Sequence, residues 1–332
     1  MRPDFHPRLI NGPFEDPGLF IPFLFQRRAI LFDLGDVSAL AARDLLKLTH
    51  VFVTHTHMDH FIGFDYMLRL LLGREKELHI YGPEKFLQNV EGKLAGYAWN
   101  LVENYETRFV LHATEVHERH TITRSFACQE RFLATRPTTR NATAGILVQE
   151  PAFTITAAIL DHGMPCLGLR LEERFHINIR KEKLFALGLD TGPWLSAFKQ
   201  AIYHGLNPND PFEVVCGKDH STIRKFTIGE LTEAIAIITP GQKIAYIADV
   251  GYQPANIEKI IDLAQGADHL FIEAAFLDRH RHIAQQKHHL TARQAGTLAR
   301  KAKVKQLTLF HHSPRYMDQA HLLEAEARQA FS

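Results

Sequence analysis

Val51-Phe-Val-Thr-His55-Thr-His57-Met-Asp59-His60 is the stretch on which the reading of the fold turns. Leu48, Val51, Phe52 and Val53 form a short apolar run rich in β-formers, which reads as a buried strand. Four metal-ligating side chains follow at once. His55 and His57 are two residues apart, so on extended backbone they point to the same side. Asp59 and His60 fall where the chain leaves the strand for a helix suggested by Phe64, Met67, Leu68, Leu71 and Leu72. Ligands on that turn can face a second metal beside the first. Imidazole suits zinc, and a hard carboxylate among imidazoles suits a hydrolytic two-metal site. The plain alternative is a set of polar residues on an exposed loop. A chance pair is easy in a chain with 21 His, but this spacing at the end of a strand is not.

The chain has 332 residues, 45% hydrophobic and 23% charged, an ordinary balance for a globular protein with a sizeable core. Its formal net charge of +1 supplies no global field for nucleic acid, so any basic surface is local. Cys128, Cys166 and Cys216 are few, odd in number and far apart, which predicts a reducing, cytoplasmic setting without a disulfide framework. The start of the sequence has no apolar signal region, and no apolar run approaches about 18 residues, so no membrane partner is expected. A homodimer is left open.

Leu9-Ile10, Leu19–Phe25 and Ala29–Phe32 read as strands, and Leu40–Leu48 as a short amphipathic helix. Asp33 either accepts a hydrogen bond from a metal-bound His or starts a turn. Leu78–Tyr81, Phe109–His112 and Arg131–Ala134 are further strand expectations, with Glu84–Val90 helical. His79, His112, His117 and His120 fall in no ligand pattern and read as surface or core histidines. Phe153–Leu160 ends at Asp161-His162-Gly163, where His162 can supply a third nitrogen. Residues 172–225 are densely charged and turn-rich, and read as an arm on a single domain spanning 1–332. Its candidates for phosphate contact are Arg174, Arg180, Lys181, Lys183 and Lys199. Trp194 packs against a partner or anchors the arm. Lys243–Ala248, Asp268–Ile272 and Gln306–Phe310 are strands ending in Asp249, Glu273 and His311-His312. Thr291–Ala302 is a helix with Thr291 as a possible N-cap. Polar groups at the ends of several strands can converge on one rim.

The His-x-His-x-Asp-His motif resembles the signature of the metallo-β-lactamase superfamily, which implies an α/β fold, an αββα sandwich with a binuclear metal site. The later motifs narrow this. Leu160-Asp-His-Gly-Met-Pro-Cys-Leu-Gly-Leu-Arg170, Glu273-Ala-Ala-Phe276, His289-Leu-Thr-Ala-Arg-Gln-Ala295 and His311-His-Ser-Pro-Arg-Tyr316 together resemble the ribonuclease Z family, endonucleases that trim the 3′ trailer from tRNA precursors. The resemblance covers roughly residues 30–316. It implies two Zn2+ ions, with Mn2+ or iron as alternatives, and RNA, a tRNA precursor, as partner. His55, His57 and His162 would hold the first metal, Asp59, His60 and His311 the second, and Asp249 would bridge. The family spacing to Arg315-Tyr316 selects His311 over His312. Glu273 and His289 match the family's catalytic pair, with Ala275 and Leu290 at positions where the family usually has Thr and Ser. Gly192-Pro193, followed by Lys199, resembles the family's tRNA-binding arm. Gly192, Pro193, Lys199 and Arg315 are the substrate-binding candidates. Asn11-Gly-Pro-Phe14 stands where the family has a Gly-Thr-Gly stretch.

The implied chemistry is phosphodiester hydrolysis by a metal-activated water, with Asp59 orienting or deprotonating the nucleophile. His289, kept cationic by Glu273, protonates the leaving 3′-oxygen. The alternative is a superfamily hydrolase of a small substrate such as a cyclic nucleotide, another phosphodiester, a thioester or a lactone. A carbonyl substrate has no need of the His289–Glu273 pair.

Overall fold

The computed structural model describes residues 5–24, 26–141, 144–216 and 222–332. The chain divides into two compact units. The larger comprises Phe5–Leu147, Ile155–Leu171 and Lys243–Ser332; the smaller includes Val148–Thr154 and Glu172–Gln242.

Among the described residues the first sheet has eight strands in sequence order: β1 (Arg8–Leu9), β2 (Leu19–Pro22), β3 (Ala29–Phe32), β4 (Leu48–Phe52), β5 (Lys76–Gly82), β6 (Phe109–Val116), β7 (His120–Ala127) and β8 (Thr138–Asn141). β3 to β6 are parallel, and the outer strands pair antiparallel. Parallel strands are covered on both faces, which is why Ala29-Ile-Leu-Phe32 is a continuous apolar run with every residue buried. On one face Leu31, Val51, Val53, Leu78 and Ile80 meet Phe64, Met67, Phe86 and Val90 from the helices Phe64–Leu71 and Phe86–Ala95. The second sheet runs in the order Leu307–Phe310, His269–Glu273, Lys243–Ile247, Pro165–Glu173, Phe153–Asp161 and Ile146–Gln149. Its Ala245, Ile247, Leu270 and Ile272 pack under Ile260, Leu263, Ala295 and Leu298 of two further helices, Pro254–Ala264 and Ala292–Lys301. Phe32 meets Tyr246 at 5.9 Å and Tyr246 stacks on Phe310 at 4.9 Å, so the sheets face one another between the helices. This is the αββα sandwich expected from the sequence.

Some local expectations are corrected. Arg131–Ala134 is not a strand. Arg131 and Phe132 both have positive φ, and Phe132 turns inward to meet Trp99 at 4.6 Å. The apolar residues there mark a packed turn, and the strand beside β6 is His120–Ala127. Helix covers Ala42–Leu45 alone of Leu40–Leu48, because Leu48 already pairs with Ala29 in β4. β2 ends at Pro22; Phe25 lies outside the described residues.

The small unit holds the antiparallel pairs Phe175–Ile179 with Ala236–Pro240 and Pro211–Cys216 with Thr222–Thr227. Helices Lys181–Ala186, Trp194–Tyr203 and Ile228–Ile235 pack with them around Ile177, Leu184, Phe198, Val214 and Leu231. Residues 172–225 fall here, with 217–221 outside the described residues. Trp194 is buried and donates through Nε1 to Asp190 O at 3.1 Å, so it anchors. Arg174 donates to Tyr203 O and Arg180 to Glu233 O and Ala236 O, so both guanidinium groups hold backbone carbonyls, Arg174 from an exposed position and Arg180 from a half-buried one. Among the described residues no helix is long and apolar enough to cross a membrane.

Candidate active site

The end of β4 is held by Asp33. This residue has φ 60°, a left-handed turn that an Asp tolerates better than most residues, and it is fully buried. It accepts from Thr54 N at 2.7 Å, Thr54 Oγ1 at 3.1 Å, Tyr246 Oη at 3.0 Å and His60 Nδ1 at 3.0 Å. The last bond fixes the imidazole of His60, on the short helix Met58–Phe61, with Nε2 left over. His162 is oriented the same way, its Nδ1 donating to His288 O at 2.8 Å.

Around these sit two groups of donor atoms. His55, His57, His162 and Asp249 form one, and Asp59, His60 and His311 the other; in each the atoms lie within 4.8 Å of one another. Asp249 lies between them. Its Oδ2 is 3.8 Å from His55 Nε2 and 3.5 Å from the Nε2 atoms of both His60 and His162, and its Oδ1 is 3.1 Å from His311 Nε2. Asp59 Oδ2 is 3.6 Å from both His60 and His311. Two ligands on one tetrahedral cation at about 2.0–2.2 Å stand about 3.3–3.6 Å apart, which is the spacing seen here. His312 is turned away, with Nδ1 donating to Ala274 O at 2.9 Å.

The charges are those of a site built for cations. Burial and the neighbouring His60 hold His55 down to about 2. Burial also pushes His60 and His311 down, but Asp33 and Asp249 outweigh it at His60, and Asp249 outweighs it at His311, so both are raised. Burial raises Asp249, yet His311 and His60 pull it well below the usual carboxylate range. Protons are thus held where a divalent cation would balance the same carboxylate charge. His60 Nε2 and Asp249 Oδ1 are buried without a well-formed hydrogen bond, a costly arrangement that ligation would relieve. Five imidazoles and two carboxylates fit a pair of divalent metals.

A third group lies beside them. Glu273 is fully buried and accepts from Val250 N at 2.9 Å, Ala275 N at 3.3 Å and His289 Nδ1 at 3.1 Å. Burial pushes His289 down, but Glu273 and then Asp249 raise it to about 9. The next residues start a helix through a capping box between Thr291 and Gln294, which fixes the backbone just after His289. A cleft of about 580 Å³ opens there, lined by Gly251, Gln253, Arg281, His289 and Arg293 among others. Gly192, Pro193 and Lys199 belong to the small unit and are not members of the cluster, and Arg315 is exposed on a short turn. Glu77, His79 and His112 also come together, away from these groups, and the linear spacing carried no sign of it.

Residues 189–312 match the model of the Beta-lactamase superfamily domain. A ribonuclease Z from Microcystis aeruginosa is 31% identical over 92% of this chain and 83% of its own. One from Anoxybacillus flavithermus is 30% identical over 86% and 76%. Among solved structures, the short form of human tRNase Z superposes with a TM-score of 0.52 at 18% identity, covering 94% of this chain and 93% of its own, a likeness of fold.

Proposed function

This chain belongs to the ribonuclease Z family, and on that premise we propose that it is an endoribonuclease that processes the 3′ ends of tRNA precursors with two divalent metal ions, zinc first among them. The observation that carries this reading is Asp249, set between two sets of imidazoles with its oxygens 3.1–3.8 Å from four of them. His55, His57 and His162 would hold one ion, Asp59, His60 and His311 the other, and Asp249 both. Bound there, the pair would supply an activated water at neutral pH and balance charge on the phosphate.

The remaining work falls to the chain's own groups. Asp59 is the most exposed of the carboxylates in the cluster, at 40%, and touches its neighbours through Oδ2. It is the group that would take a proton from the attacking water. His289 spends Nδ1 on Glu273, which leaves Nε2 to protonate the departing 3′-oxygen. Glu273 fixes the ring and keeps it charged. Lys181, Lys183 and Lys199 of the small unit, together with Gly192, Pro193 and Arg315, are the groups we assign to RNA contact.

The test is metal content together with cleavage. Protein purified without chelator should carry close to two equivalents and cut a tRNA precursor where its 3′ trailer begins, releasing the trailer. A single equivalent, or turnover of bis(p-nitrophenyl) phosphate with no cleavage of the precursor, would sink the reading.

A further inference from the structure

Away from the active site, β4, β5 and β6 carry a row of histidines that the chemistry above does not use. His50 pairs in register with His79, His79 with His112, and His112 with Ser125 of β7. Residues in register on neighbouring strands share a face, so the rings line up. His50 and His79 stack at 5.2 Å, and His79 and His112 at 4.7 Å. Glu77 is two residues before His79 and therefore on the same face.

Stacking alone would account for the rings but not for how His112 and Glu77 are set. His112 Nδ1 is 2.7 Å from Ser125 Oγ, and in the tautomer that donates there, Nε2 is left as a lone pair on the side of Glu77. Glu77 Oε2 stops 3.6 Å from that nitrogen, too far for a hydrogen bond. The nearby pair of His117 and His120 makes the contrast. There Glu115 closes on His117 at 2.9 Å in an ordinary hydrogen bond. A separation near 3.6 Å is instead what two ligands of one tetrahedral cation show, about 3.3–3.6 Å for bonds of 2.0–2.2 Å. One nitrogen each from His79 and His112 and one oxygen of Glu77 lie within 4.8 Å of one another. The rings are half-buried and Glu77 is exposed, so water has access to a fourth position.

We propose that Glu77, His79 and His112 bind a further transition-metal cation, Zn2+ or a neighbour such as Ni2+ or Cu2+, that clamps β5 to β6. Two imidazoles and one carboxylate select such ions over Mg2+ or Ca2+. With three protein donors the ion is held less tightly than in the seven-donor cluster. The proposal does not depend on the reaction assigned to that cluster.

Equilibrium dialysis against Zn2+ tests it, on the whole protein and on His112→Gln and Glu77→Gln. Glu77 is exposed, so its variant folds whatever happens to the sheet. The unaltered protein should hold one equivalent more than His112→Gln. Glu77→Gln should need a higher free Zn2+ to fill the same site. Hydrolysis of bis(p-nitrophenyl) phosphate should be unchanged in both, and Zn2+ should raise the melting temperature of the unaltered protein more than that of His112→Gln. Equal stoichiometry in all three proteins at saturating Zn2+ would overturn the proposal.

Discussion

The two units treat charge in opposite ways. In the large unit Asp33, His55, His60, His162, Asp249 and Glu273 are all buried, six ionisable groups set around one another at the ends of strands. In the small unit the buried carboxylates and imidazoles among the described residues are Glu173 and His176, and they are 3.0 Å from each other. Lys181, Lys183 and Arg174 are exposed, and the half-buried Arg180 is spent on backbone carbonyls. Taking a charge out of water costs several kcal/mol per ion unless something compensates it. The large unit bears that cost over and over in one place, which marks the place as a site for cations and chemistry. The small unit avoids it, which suits a scaffold presenting a surface.

The sharpest break of this comparison is Asp249→Asn. It removes the one carboxylate that both donor groups share. Several kcal/mol of transition-state stabilisation should go, about 10³-fold or more in rate. RNA and bis(p-nitrophenyl) phosphate should suffer alike, and metal analysis should show loss at both positions. Full metal content with unchanged rates would mean that the buried charge in the large unit is structural.

His289→Ala comes next. Loss of a positioned acid should slow RNA cleavage about 10²–10⁴-fold without loss of metal. Nitrophenolate leaves without a proton, so bis(p-nitrophenyl) phosphate should be affected far less. Equal losses on the two substrates would remove His289 from the acid role.

The contrast also explains what was legible in the sequence. His55 to His60, His162, Asp249, Glu273 and His311 each follow an apolar strand, and a strand read correctly carries its last residue to the rim. The N-cap at Thr291 was readable from its place at the head of the helix-like run to Ala302, and the structure adds Gln294 as its capping-box partner. The sandwich itself was implied by the resemblance of the His-x-His-x-Asp-His motif, not by the strands. What failed was pairing. Nothing in Leu78-His79 or Leu111-His112 says that these strands are neighbours in that register, so His79 and His112 were read as separate surface or core histidines. Arg131–Ala134 misled because an apolar side chain such as Phe132 can be buried from a turn as well as from a strand. In the small unit the run of charge between 172 and 183 masked Ile177, Leu184, Phe198 and Leu231, which form a core only once the helices and hairpins meet.

Trp194→Ala tests the small unit as a scaffold. A buried Trp replaced by Ala costs about 3–5 kcal/mol, enough to loosen a unit of this size. RNA cleavage should fall while hydrolysis of bis(p-nitrophenyl) phosphate continues, because the large unit keeps a core of its own. Loss of both activities would show that the catalytic cluster depends on the small unit for its stability, and the division of labour drawn here would fail.

The smallest effect is expected from Lys181→Gln with Lys183→Gln. Both lysines are exposed on the helix Lys181–Ala186, so removing them leaves the core of the unit intact. If each neutralises one phosphate, each releases counterions, and the slope of log affinity against log salt should become shallower by about 0.7–0.9 per lysine. The KM for a tRNA precursor should rise several-fold at low salt and converge with that of the unaltered protein as salt increases, with kcat unchanged. Arg180→Gln is the control. Its guanidinium is bound to Glu233 O and Ala236 O, so it should lower the melting temperature and leave the salt slope where it was. A slope that moves with Arg180 and not with the lysines would reverse the assignment of inner and outer charge in this unit.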